Sequence, residues 1–350
     1  MRARHDLDLS TAALQGIYWH DRCMTMASPD LYAMLGFPAA DQVATLKSVA
    51  HLFGASKKRC GIYLLEFPDE RFYIGQAVDA VRRFGQHRKN YDDICGFSFL
   101  PVVKERLNTV ERDLIERAER EGLVILNTIH VSNVVGETDL DLILLPQEQD
   151  KWLESPEAFN AADLVSPIVL PIAQLERFAR KFHRYGQHPL SAKANDLLAR
   201  YVRHCLPAPR RTEYSFWSVS CLPSTNLNTW PRLFCLSAGV MELLVVGHHA
   251  SQPDRMWGFV TVASDVLWSK FGSERKLLEN FPFLELVQRD YRDAGQHQVT
   301  LFMSDHDMLC DVLGHAYVQQ AASSLALRVM RKRATIYSKF HCKQLADLVV

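Results

Sequence analysis

The spacing of apolar residues changes period across Gly61–Asn90. Two short apolar runs, Gly61–Phe67 and Arg71–Gly75, flank Pro68-Asp69-Glu70, which predicts a β-hairpin closed by a three-residue loop. If Phe67 pairs with Arg71, cross-strand partners sum to an even number, so Tyr63 and Tyr73 project from the same face. Past Gly75 the period becomes helical. Asp79 is the expected N-cap, and Arg83 and His87 lie four residues apart on one helical face. A further helix is predicted over Asn108–Glu121, rich in helix formers and ending at Gly122.

On either side the pattern is less regular. Residues 1–56 read as a helical N-terminal extension, with segments at Leu31–Phe37 and Val43–Phe53 around Pro38. Such a pair fits a helix-turn-helix, although helical pairs are more often packing elements. Residues 136–171 are acidic and contain Pro146, Pro156, Pro167 and Pro171, the composition of a linker. A basic amphipathic helix follows over Ile172–Tyr185. Alternating and apolar runs at Tyr214–Cys221, Leu233–Val246, Trp257–Val262 and Gln298–Met303 predict a mainly antiparallel sheet with interspersed helices. The expected class is therefore α+β. A small antiparallel sheet flanked by helices occupies 57–135, and a second α+β domain over 172–350 serves target recognition, regulation or oligomerisation.

Composition narrows the partners. Lysines and arginines number 40, as do aspartates and glutamates, so any nucleic-acid contact requires locally concentrated positive charge. Two such places stand out. One is the first helix, with Arg82, Arg88 and Lys89; the other is Arg328, Arg331, Lys332, Arg333, Lys339 and Lys343, a stretch no acid interrupts. A solvated helical surface or an oligomer interface explains the second stretch equally simply. The start, Met1-Arg2-Ala3-Arg4-His5-Asp6, lacks the apolar core of a secretory signal, and the longest apolar run, Leu233–Gly247, is too short for a membrane span. Eight scattered cysteines without a CxxC pair suit free thiols in a reducing cytoplasm. His183, His248-His249 and Asp305-His306-Asp307 offer metal-ligand chemistry, but Ser304-Asp305 reads better as the cap of a helix near Met308.

Gly61-Ile62-Tyr63 and Tyr73-Ile74-Gly75 are followed in order by Gln76, Asp79, Arg82, Arg83, Gln86 and His87; Glu111 then precedes Leu114-Ile115, and Leu126-Asn127 closes the segment. This run resembles the GIY-YIG nuclease superfamily over residues 57–131. Glu105 and Glu116 compete with Glu111, but neither keeps both the Leu-Ile and the Asn spacing. Gly16-Ile17-Tyr18 repeats the first tripeptide without a Tyr-Ile-Gly at the required distance, so the tripeptide alone carries nothing.

The resemblance implies an endonuclease that hydrolyses DNA phosphodiester bonds, with Tyr63, Tyr73, Arg83, His87, Glu111 and Asn127 as the catalytic set. Glu111 would hold one Mg²⁺ or Mn²⁺ per site. Arg83 and Tyr73 would bind phosphate oxygens, Tyr63 with His87 would help deprotonate the attacking water, and Asn127 would fix the cleft. One site cuts one strand, which leaves room for a homodimer. Two other classes fit the same residues. One is an effector whose second domain senses a small molecule or protein and releases the nuclease; the other is a non-cleaving nucleic-acid-binding protein.

Overall fold

The chain divides into two units, Met1–Val131 and Ser132–Val350. A computed structural model describes residues 29–54, 58–127, 134, 138–288, 291 and 295–350. In the first unit α1 (Pro29–Leu35) leads to the two-residue strand β1 (Asp41–Gln42). Then come β2 (Gly61–Glu66), β3 (Arg71–Ala77), α2 (Ala80–Asn90), β4 (Gly96–Pro101), α3 (Leu107–Arg120) and β5 (Val124–Ile125).

β2 and β3 form the expected hairpin. Tyr63 stands opposite Gly75 and Leu65 opposite Tyr73, while the Phe67 N–H donates to the Arg71 carbonyl at 3.0 Å. The strand order is β1-β4-β2-β3-β5, antiparallel except for the short parallel pairing of β3 with β5. The sheet is covered on both faces, as strict alternation requires. Tyr63, Leu65 and Phe67 pack with Phe84 of α2, Phe97, Val43, Val49 and Phe53. Ile62, Leu64, Phe72 and Ile74 project oppositely and are buried, as are Leu107, Leu114, Ile115 and Ala118 along one stripe of α3. Asp79 caps α2 by accepting from the Arg82 N–H, and Gly122 ends α3 at φ 76°.

Residues 29–54 are more than a helical extension. β1 pairs with β4, Val43, Val49 and Phe53 enter the core, and Tyr32 hydrogen-bonds the buried Glu66. Of the expected helix at Val43–Phe53 only the 3₁₀ turn Ala50–Leu52 forms, so α1 is followed by a strand and not by the second helix of a helix-turn-helix. Residues 1–28, 55 and 56 of that reading, and Lys57 of the next segment, lie outside the described residues.

The second unit begins with a 3₁₀ turn at Asp139–Leu142, followed by α4 (Pro146–Glu154), α5 (Pro156–Ala162), α6 (Ile172–Gly186), α7 (Ser191–Cys205) and α8 (Pro209–Thr212). Strands β6 (Trp217–Cys221), β7 (Arg232–Ala238), β8 (Met241–His249) and β9 (Gln252–Val262) come next, then α9 (Ser264–Phe271) and α10 (Glu274–Asn280). β10 (Glu285–Val287), β11 (Val299–Met303), α11 (His306–Gly314), α12 (Ala316–Lys332) and α13 (Lys343–Ala346) complete the unit. The sheet is antiparallel throughout in the order β10-β11-β9-β8-β7-β6. The apolar run at Leu233–Gly247 is two strands, divided at Gly239 with φ 53°. α7 and α12 cover one face of the sheet.

Two sequence expectations change here. The acidic, proline-containing segment 136–171 is not a plain linker: Leu140, Leu144 and Trp152 are fully buried in the core of the second unit. Two of its prolines, Pro146 and Pro156, stand first in α4 and α5, where the missing N–H costs nothing. The basic stretch is largely spoken for as well. Arg328 binds Asp265 through two hydrogen bonds of 2.8 Å, Arg331 reaches Asp141 and Gln149, and Lys343 is buried against Glu213. Asp265 is held below the usual carboxylate range; burial opposes this, and the hydrogen bonds and charge of Arg328 outweigh it. These three cations therefore do not form the expected phosphate footprint. Lys339 stacks over Phe340 at 5.0 Å.

Candidate active site

β3 carries the site because its two edges differ. Its inner edge pairs with β2, while its outer edge meets the β5 backbone only near Arg71 and Phe72. Two side chains continue the outer ladder. Asn127 accepts from the Ile74 N–H at 3.0 Å and donates to the Ile74 carbonyl; Glu111 accepts from the Gln76 N–H at 3.0 Å. Strand groups that would otherwise lack partners thereby fix a carboxylate and an amide beside Tyr73. Asn127 is buried, and its two hydrogen bonds tie it to Ile74 of β3.

The other groups converge on the face covered by α2. Tyr63 and Tyr73 stack with ring centroids 6.1 Å apart, and the His87 ring lies 4.7 Å from Tyr73. His87 Nε2 is 2.7 Å from the Tyr63 hydroxyl, and Arg83 Nε donates to that hydroxyl at 3.3 Å. The i, i+4 spacing of Arg83 and His87 delivers both to one phenol, Arg83 from an exposed position and His87 from a buried one. Glu111 completes the cluster from α3, held additionally by Gln76 Nε2 at 2.8 Å. The competing Glu116 faces Arg112 at 4.0 Å instead.

Burial dominates the electrostatics. It raises the Tyr63 phenol, with Tyr73 adding to the shift and Arg83 opposing it. Tyr73 is raised by burial as well, with Arg83 opposing and the Glu111 charge adding. His87 is lowered to about 4, chiefly by burial and further by the Arg83 charge. The resting site thus holds two neutral phenols, a neutral imidazole and a charged guanidinium. With its proton on Nδ1, His87 accepts from Tyr63 at Nε2. The Tyr63 phenol therefore holds its proton more tightly than in water, and its loss requires an acceptor; His87 Nε2 stands 2.7 Å away.

The linkage has a definite sign. Because the folded His87 pKa lies below its unfolded value near 6.5, the unfolded chain binds more protons between them, and stability falls as pH drops from about 6.5 to 4. A His87→Gln variant is expected to show a smaller loss of thermal stability over that interval than wild type, read from unfolding midpoints at pH 7, 5.5 and 4.5.

Gly75 is required by close approach. A Cβ there would lie 2.4 Å from the Tyr63 hydroxyl oxygen and 2.7 Å from Tyr73 Cε1. Gly75→Ala is expected to cost about 1–3 kcal/mol by overpacking and to displace both rings, read by urea unfolding and the near-ultraviolet tyrosine signal.

The sequence-predicted residues sort unequally. Tyr63, Tyr73, Arg83, His87, Glu111 and Asn127 gather around β3. Arg82 and Lys89 lie exposed on α2, whereas Arg88 donates to the carbonyls of Val43, Ile94 and Asp92, which makes it a brace between loops and not a free phosphate contact. Gln76 stands in the motif run without a role and Asn108 only at the start of the α3 segment, yet Gln76 links Glu111 to β3 and to Asn108 Oδ1 at 2.6 Å. Their signal was position alone: Gln76 directly follows Gly75, and Asn108 precedes Glu111 by one helical turn. Of the alternative metal ligands, Asp305 caps α11 and His306 lies 3.4 Å from Cys310 Sγ. Asp196 lies close to both, but it also meets Arg200 at 3.5 Å. Among the described residues no helix is long and apolar enough to cross a membrane, and the described cysteines are free. Comparison with known protein families, curated proteins and solved structures finds no match for this chain.

Proposed function

We propose that the first unit is a divalent-metal-dependent endonuclease of the GIY-YIG type that hydrolyses DNA phosphodiester bonds. The observation that carries this reading is the convergence on β3 of two phenols, an imidazole, an exposed guanidinium and an oriented carboxylate, drawn from β2, β3, α2 and α3. Glu111 suits a hard cation: it is one half-buried carboxylate oriented by Gln76, and Mg²⁺ or Mn²⁺ commonly takes one protein carboxylate and completes its octahedron with water and phosphate oxygens. When bound there, such an ion supplies Lewis-acid polarisation of the scissile phosphate and charge stabilisation for the departing 3′ oxygen.

The chain's own groups do the rest. Arg83 is exposed, with Nε donating to Tyr63 and Nη1 to Gln86 at 3.0 Å; its remaining donors bind non-bridging oxygens, where charge grows in the transition state, and Tyr73 donates a hydroxyl proton to the same group. Tyr63 helps deprotonate the attacking water, its own proton moving toward His87 Nε2 at 2.7 Å; the negative charge of a phosphate bound beside Arg83 offsets the burial and the Arg83 charge that keep the imidazole neutral in the free site. Asn127 keeps β3 in place throughout.

The test is cleavage of supercoiled plasmid and single-stranded circular DNA by wild type, Glu111→Ala and Arg83→Ala in Mg²⁺, Mn²⁺ or EDTA. Metal-dependent cutting by wild type and its loss in both folded variants is the expected result, with the ratio of nicked to linear plasmid reporting whether two sites act together. Absence of cutting by folded wild type on both substrates overturns the reading.

The internal pairing of Arg328, Arg331 and Lys343 favours a second role for residues 172–350 over target selection by a basic face. In that reading the second unit responds to a ligand.

A further inference from the structure

The sheet of the second unit has two unlike faces. Val219, Phe234, Leu236 and Leu244 enter the main core, while Ser218, Cys235 and Ser237 project oppositely by strand alternation. On that second face lies a cavity of about 240 Å³, bounded by hydroxyls and aromatic rings as well as charge.

Three observations give it chemistry. First, Ser218 and Ser220 line the cavity, and the Ser220 hydroxyl donates to the Cys235 carbonyl at 3.4 Å. A hydroxyl both donates and accepts, so Ser218 offers the wall a group that can meet an anionic oxygen. Second, Arg232 and Glu242 face each other in the wall with side chains only 10% and 21% exposed. The pair presents fixed donors and acceptors in the wall and adds no net charge to it. Third, Lys181 of α6 reaches the same cavity and meets no carboxylate among the described residues. Since Arg232 and Glu242 cancel, Lys181 leaves the cavity one positive charge.

Phe178 and Phe340 supply the apolar remainder of the lining. The loop after β6, which carries the rim, starts at Leu222 with φ 41° and passes Asn226 at φ 55°, a backbone path that non-glycine residues adopt only when held.

We infer that the second unit binds a small aromatic anion in this cavity. Its carboxylate or phosphate head meets Lys181 and the Ser218 hydroxyl, and its ring lies against Phe178 and Phe340. The volume is below the roughly 300–1,000 Å³ of sites for drug-sized ligands, which selects one ring with one anionic group over a dinucleotide. The inference stands whether or not the first unit cuts DNA.

The experiment is calorimetric titration of the full chain with benzoate, phenyl phosphate and inorganic phosphate. It is repeated with Lys181→Ala and Phe340→Ala; both positions are partly exposed, so both variants are expected to fold. Saturable binding of benzoate or phenyl phosphate, one per chain and at least about tenfold tighter than inorganic phosphate, is expected, with the stronger of the two identifying the head group. Each substitution should weaken it about tenfold or more. No saturable binding of either aromatic anion to folded wild type overturns the inference. So does equal affinity in wild type and both variants, or inorganic phosphate binding as tightly as phenyl phosphate.

Discussion

Glu111→Gln is expected to reduce metal-dependent cleavage by about 10³-fold, equivalent to about 4 kcal/mol of transition-state stabilisation, while the first unit stays folded. The substitution keeps an oxygen that can accept from the Gln76 N–H at the Glu111 Oε1 position and removes the charge a hard cation needs. Its cost in stability should be about 1 kcal/mol, since one hydrogen bond from Gln76 Nε2 is lost or inverted. Glu116→Gln is the matched control: it lies on the same helix and faces Arg112 at 4.0 Å. Single-turnover cleavage of supercoiled plasmid, with folding checked by circular dichroism, separates the two. If both variants cut like wild type, Glu111 is only a strand-edge cap and the metal reading fails. Loss in Glu116→Gln alone would place the carboxylate one register later on α3.

That prediction rests on features that were legible because they are local. The hairpin register follows from loop length, the α2 cap from Asp79, and the end of α3 from Gly122, each decided within a few residues. The shared face of Tyr63 and Tyr73 is then a matter of parity. Proton affinities were not legible in this way. A tyrosine and a histidine in sequence carry their aqueous values, and only the packing of Tyr63 on the sheet against His87 of α2 shows that burial raises one group and lowers the other.

Sequence reasoning failed where a residue's partner lies far along the chain. Residues 29–54 join the first unit through the β1–β4 pairing and Tyr32–Glu66, neither of which a local window contains. In the segment 136–171 the average acidity and prolines outweighed three apolar residues, Leu140, Leu144 and Trp152, whose complete burial ties the segment to the core of the second unit. For the basic stretch, counting cations without their partners mistook internal ion pairs for an exposed footprint. Arg328 and Asp265 are 63 positions apart, and Lys343 and Glu213 are 130 apart.

The last of these pairs gives the largest expected effect on stability. The Glu213 side chain is fully buried, with Oε1 3.0 Å from His341 Nε2 and 3.2 Å from Lys343 Nζ. His341 Nδ1 accepts from the Val219 N–H, so the ring proton sits on Nε2 and is donated to Glu213. Val219 belongs to β6, an edge strand, and the Cys342 N–H bonds its carbonyl at 2.7 Å, so the C-terminal segment covers that edge and Glu213 anchors the segment. Glu213→Ala strips a buried ammonium and a buried imidazole of one acceptor together and is expected to cost about 3–5 kcal/mol. Asp347, which also meets Lys343, draws the cost toward the lower figure. Glu213→Leu combined with Lys343→Met should recover most of the loss, because the uncompensated charge disappears with its partner. Urea unfolding followed by tryptophan fluorescence reads the second unit, which holds most of the tryptophans. A double variant as unstable as the sum of its single variants would show that the two side chains stabilise the C-terminal segment independently and not as a charge pair.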